Sequence, residues 1–166
     1  MRTLGRMLVA LPLVAALVGV AAPAAVAKPV RSFTFTAEAG AHPVNGRSGQ
    51  WTPPDAEIDV HEFERVIKMH AETHNGWDWI RVEFRGRDGA ALRRGVYRTD
   101  AKARPDGPRM LVISNGLGCI DDYGRFTITR IRRDSSGQLS ALDARFEHHC
   151  GSATAPALRG EIRYRA

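Results

Sequence analysis

The sequence predicts an all-β fold: an antiparallel β-sandwich, jelly-roll-like, of about eight or nine short strands. Three observations predict it. Apolar and polar residues alternate with a period of two through most of the chain beyond residue 28. Turn chemistry recurs between these segments, as in Asn75-Gly76 and Asp134-Ser135-Ser136-Gly137. Only one segment, 62–74, also fits a helical repeat.

Taken in order, 31–37 alternates polar and apolar residues, is rich in Phe and Thr, and reads as a strand. Residues 39–55 carry Gly40, Pro43, Asn45-Gly46, Gly49 and Pro53-Pro54 and read as a loop. A short strand is predicted at 56–60. Segment 62–74 allows two readings. Phe63, Val66, Ile67 and His70 or Ala71 fit one helical face, with Glu64 and Lys68 as an i,i+4 pair. As a strand, it places Arg65, Ile67, Met69 and Ala71 on one side. The Asn75-Gly76 turn and the alternation of Ile80, Val82 and Phe84 favour a hairpin of 64–73 and 77–85. Further strands are predicted at 96–98, 110–114, 126–132, 139–149 and 158–164, with 100–108 as a polar loop. In the last strand Leu158, Gly160, Ile162 and Tyr164 alternate against Arg159, Glu161, Arg163 and Arg165.

Residues 1–27 have the three parts of a cleavable secretory signal. Arg2 and Arg6 supply positive charge, an apolar run follows from Met7 to about Ala22, and Ala25-Val26-Ala27 forms a small-residue cleavage site. The run is short for a membrane span, which needs about 20 apolar residues, and it contains Pro12. Residues 28–166 are therefore expected to be a single secreted, extracellular domain with no stable membrane span after processing. No cysteine lies near residue 27 to carry a lipid.

The formal net charge of the whole chain is +6, and loss of Arg2 and Arg6 with the signal leaves +4. The positive residues are mostly Arg and are interleaved with acids, as in Arg130-Ile131-Arg132-Arg133-Asp134. No block of five like charges occurs. A scattered excess of this kind reads as a solvated surface, and nucleic acid is not an expected partner. Cys119 and Cys150 are the two cysteines, and an even pair in an oxidising compartment reads as a disulfide.

The C-terminal half resembles a known group. The elements are Gly116-Leu117-Gly118-Cys119, Gly124-Arg125-Phe126-Thr127-Ile128, Asp134-Ser135-Ser136-Gly137, Ala144-Arg145-Phe146-Glu147-His148-His149-Cys150 and Pro156-Ala157-Leu158-Arg159-Gly160-Glu161-Ile162-Arg163. Together with Trp79 and Gly95-Val96-Tyr97 they resemble a family of exported bacterial β-domain proteins, mostly actinobacterial and myxobacterial, over about residues 76–165. The resemblance implies a β-sandwich and a Cys119–Cys150 bridge. It implies no catalytic residues, since the family has no established activity. His148 stands where the family pattern has Gln, and the loop after Cys150 also departs from it.

Candidate chemistry is sparse. His70 and His74 have a chelating spacing only on a helix, and residue 65 is Arg, so no H-E-x-x-H motif follows His61-Glu62. His148 and His149 face opposite sides of a strand, Glu147 points with His149, and His148 reads as a buried, hydrogen-bonded histidine beside the disulfide. Asp121 and Asp122 are an acidic loop pair suited to acid–base work, to calcium or to turn capping. Trp51, Trp77 and Trp79 sit near turns and are candidate stacking surfaces for a ligand, although core packing is the favoured reading for Trp79. No nucleophile elbow, P-loop or dinucleotide fingerprint occurs. The expected function is that of a non-enzymatic secreted or cell-surface module, binding extracellular glycan or protein or serving the envelope structurally, with no cofactor and no metal. The alternative is a secreted hydrolase, or an inhibitor of one, using Asp121, Asp122 and the histidines.

Overall fold

A computed structural model describes residues 29–100 and 106–166. The signal at 1–27 lies outside the described residues. Among the described residues there are eleven strands: β1 (Val30–Ala37), β2 (Gly49–Trp51), β3 (Ala56–Phe63), β4 (Val66–Thr73), β5 (Trp79–Arg85), β6 (Gly95–Asp100), β7 (Arg109–Ser114), β8 (Leu117–Gly118), β9 (Asp122–Arg133), β10 (Leu139–Cys150) and β11 (Ala157–Arg165). They form a six-stranded sheet in the order β2-β1-β11-β10-β9-β6 and a five-stranded sheet in the order β3-β4-β5-β7-β8. All pairings are antiparallel. One 3-10 turn, Arg87–Gly89, is the only helical element among the described residues. The strands beyond the eight or nine expected include the very short β2 and β8, which have too few residues to show a period.

The ambiguous segment resolves as strand. Ile67, Met69 and Ala71 are buried on one parity while Lys68 and His70 are not. Glu64 and Arg65 form a two-residue turn between β3 and β4, both with positive φ (49° and 65°). A helix through 62–74 would need negative φ at both. Neither residue is the Gly or Asn that normally signals such a turn, so the β3–β4 hairpin is absent from the sequence reading. For the same reason Arg65 lies in a turn and not on the Ile67 face. At Asn75-Gly76 the turn is as predicted but wider. Thr73 N donates to Asp78 O at 2.9 Å, so β5 begins at Trp79 and not at residue 77.

The core lies between the sheets. Phe126, Ile128, Leu142, Ala144, Phe146, Ile162 and Phe33 face inward from the six-stranded sheet, and Ile67, Met69, Ile80, Val82, Phe84 and Val112 from the other. A ring column joins the layers: Tyr97 stacks on Phe126 at 4.7 Å and Phe126 on Phe84 at 4.5 Å. Gly160 sits opposite both Phe35 and Phe146. A Cβ there would lie 2.3 Å from the Phe146 ring, so glycine leaves the space that the ring occupies.

Cys119 and Cys150 form a disulfide with Cα atoms 5.6 Å apart. It ties the segment after β8 to the end of β10, and hence one sheet to the other. Gly151 N adds a hydrogen bond to Asp121 O at 2.8 Å. The closed loop spans 31 residues. Replacing both cysteines by alanine should therefore lower stability by about 3–4 kcal/mol, read as a reduced urea midpoint with an unchanged far-ultraviolet spectrum.

Candidate functional site

The three tryptophans occupy different settings. Trp51 is half-buried at the sheet edge, 5.5 Å from Phe35 and 6.1 Å from Phe33 in edge-on contacts. Trp77 is 82% exposed in the β4–β5 turn. Trp79 is not a core residue. It has the parity opposite to Ile80, Val82 and Phe84, and stacks at 5.8 Å on His70 on the outer face of the five-stranded sheet. No two tryptophans meet among the described ring contacts, so they form no shared platform.

The acidic and histidine candidates also separate. Asp122 and His148 come together: Nε2 lies 2.6 Å from Oδ1, and His148 is fully buried. This pair adjoins Cys119, whose sulfur lies in the same donor cluster. Both cysteine sulfurs are committed to the disulfide and are not thiolate ligands. Asp121 joins through its main chain to Gly151. His61 pairs with Asp59 at 2.5 Å and His70 with Glu72 at 3.3 Å on the other sheet. His74 is bonded to the Pro54 carbonyl. None of Asp121, Asp122, His61, His70, His74 and His148 lines the concavities described on this surface.

The widest concavity described, about 760 Å³, lies on the outer face of the six-stranded sheet. A second hollow of about 440 Å³ shares Arg125 and Glu147 with it and continues past Arg98, Tyr123 and His149. Strand register builds this face in three rungs. Thr36, Arg159, Glu147, Arg125 and Arg98 form the first. Gln50, Thr34, Glu161, Arg145, Thr127 and Val96 form the second. Ser32, Arg163, Asp143 and Arg130 form the third.

In these rungs the arginines at 98, 125, 130, 145, 159 and 163 outnumber the carboxylates at 143, 147 and 161 by two to one. Glu161 lies 2.6 Å from Arg163 and 3.2 Å from Arg145. Glu147 lies 3.0 Å from Arg159 and 3.7 Å from Arg125. The outer face of the five-stranded sheet is balanced by contrast: Glu57, Asp59, Glu72 and Glu83 stand with Lys68, Arg81, Arg85 and Arg109.

Both groove glutamates are held ionised. The Arg163 hydrogen bond is the largest influence on Glu161 and, with the Arg145 field, outweighs burial and lowers its pKa from 4.5. For Glu147 burial is the largest single influence and acts upward. Hydrogen bonds from Arg159 and His149, and the charges of Arg125 and Arg159, overcome it and lower the pKa from 4.5. The sequence reading missed this face. Its one available signal was the alternation of Arg159, Glu161, Arg163 and Arg165, which by itself says only that a strand has a wet side.

No family model matches the chain, and neither a curated protein nor a solved structure gives a significant match.

Two outcomes follow for stability. Asp122→Ala leaves the buried His148 ring with no partner at Nε2, while Nδ1 already lacks one, and should cost about 1–3 kcal/mol in urea unfolding. Because the folded pKa values of Glu147 and Glu161 are depressed, their contribution is complete above the unfolded value of 4.5 and is lost as pH falls through the folded values. The urea midpoint of the Glu147→Gln, Glu161→Gln protein should therefore fall less steeply below pH 4.5 than that of the parent.

Proposed function

We propose that this protein is a secreted, non-enzymatic binding module of the cell surface or exterior, and that its ligand, a glycan or a protein, lies along the outer face of the six-stranded sheet. The signal-like segment 1–27 and the resemblance of residues 76–165 to exported bacterial β-domain proteins support the location. A disulfide suits an oxidising compartment. No helix among the described residues is long and apolar enough to cross a membrane.

One observation carries the binding reading. The widest described concavity is lined by guanidinium, hydroxyl and carboxylate groups held in cross-strand rungs, with its glutamates kept ionised. A hydrolase that works through paired carboxylates needs one of them protonated near neutral pH, with a raised pKa. Glu147 and Glu161 are shifted the opposite way. Asp122 and His148, which a hydrolase of the alternative kind would use, are turned inward to each other.

The test passes the secreted protein over immobilised extracellular polysaccharide and protein fractions of the producing cell. Saturable retention without release of soluble fragments is expected. Thr127→Trp, which fills the middle rung, should weaken retention by about tenfold, and Trp77→Ala should leave it unchanged. Time-dependent release of fragments, or retention indifferent to Thr127→Trp, would contradict the proposal.

A further inference from the structure

We infer that the ligand of this face is an anionic polyol polymer, a polysaccharide or related chain bearing carboxylate or phosphate groups on hydroxylated units. The inference rests on the binding-module reading and names its ligand class.

Three guanidiniums make a diagonal stripe. Arg125 stands on the first rung in β9, Arg145 on the second in β10 and Arg163 on the third in β11. All three line the concavity. Their side chains are 57%, 69% and 56% exposed, so a ligand can reach them. Adjacent strands are about 4.8 Å apart, and the stripe moves one strand and one rung at each step. A linear polymer with an anion on each unit or alternate units meets a matching series of donors.

The carboxylates beside the stripe do not neutralise it. Glu161 is shared between Arg145 and Arg163, and Glu147 between Arg125 and Arg159. Arg159 is also paired with Glu38 at 2.9 Å, which leaves Glu147 to balance Arg125. Glu161 can balance only one of Arg145 and Arg163, so the stripe of three keeps one positive charge. These carboxylates also hold the flexible arginines in place, which lowers the ordering cost of binding. Bidentate geometry suits guanidinium to carboxylate and phosphate alike.

Hydroxyls complete the site. Thr127 and Thr129 lie on one side of the stripe, and Ser32, Thr34 and Thr36 on the other. They match the alcohols of a polyol backbone. A single-stranded nucleic acid would instead use aromatic stacking surfaces. The only aromatic residues lining this concavity are Phe35 and Phe146, and both are buried. The chemistry therefore favours a hydroxylated polyanion.

The experiment immobilises the secreted protein and measures binding of polygalacturonate, poly(glycerol phosphate), neutral dextran and oligo-deoxythymidine. One or both of the first two should bind, dextran should not, and the DNA should bind more weakly than the better polyanion. The two polyanions separate carboxylate from phosphate as the source of charge. Raising salt from about 50 mM to about 500 mM should weaken binding by at least about tenfold. Arg145→Glu should weaken it by about tenfold or more. Glu161→Gln should strengthen it several-fold, because it frees two guanidiniums, and a loss of fold cannot mimic that gain. Equal binding of dextran, failure of both polyanions while cell fractions are still retained, or tighter binding of the DNA overturns the inference. The first two leave the binding-module reading standing, whereas absence of retention on any fraction removes that reading itself.

Discussion

The register of β9, β10 and β11 is the constraint on which the rest of the molecule depends. Phe146 lies opposite Phe126 on one side and Gly160 on the other. In a strand the two faces alternate, so a slip by one residue would bury the arginines and expose the phenyl rings. Two local features oppose such a slip. Gly160 is the position with room for the Phe146 ring. Gly124, at φ 139°, brings β9 so close to β10 that a Cβ would lie 1.9 Å from the Glu147 carbonyl. Moving another residue into either place meets a direct clash. The apolar side thus selects which polar residues meet on the wet side.

The chemistry of the outer face follows from that selection. Charges that alternate along the chain become rungs across the sheet, in which cross-strand neighbours are close enough to pair. The pairing is unequal, since two guanidiniums flank each glutamate. Such a surface keeps its carboxylates ionised and retains positive charge. That residual charge is what the proposed anionic ligand would meet. Asp122 and the buried His148 play the complementary part, pairing with each other beside the disulfide at the end of the sandwich.

Much of the fold is legible in the sequence, because burial on one face writes itself as period two. The hairpin at 64–85, the inward parity of Leu142, Ala144, Phe146 and His148, and the Cys119–Cys150 bridge all follow from residue type and spacing. The Glu64-Arg65 turn does not, because its left-handed backbone is imposed by the strands on either side and not by its own residues. Trp79 misleads because a large ring suggests core, while its parity places it outside on His70. The candidate site is legible only in part. Arg159, Glu161 and Arg163 show their alternation, but nothing in a linear chain says that Arg125 and Arg145 lie beside them. The arginines look scattered because their proximity exists only across strands.

Nuclear magnetic resonance observation of the arginine Nε–Hε and tryptophan indole signals during titration with a short galacturonate or glycerol phosphate oligomer tests the central claim most directly. The account predicts saturable shifts at Arg125, Arg145, Arg159 and Arg163, with the Trp77 indole unmoved. Shifts concentrated at Trp77 and the turns around it, or on the face that carries His70 and Trp79, would contradict it.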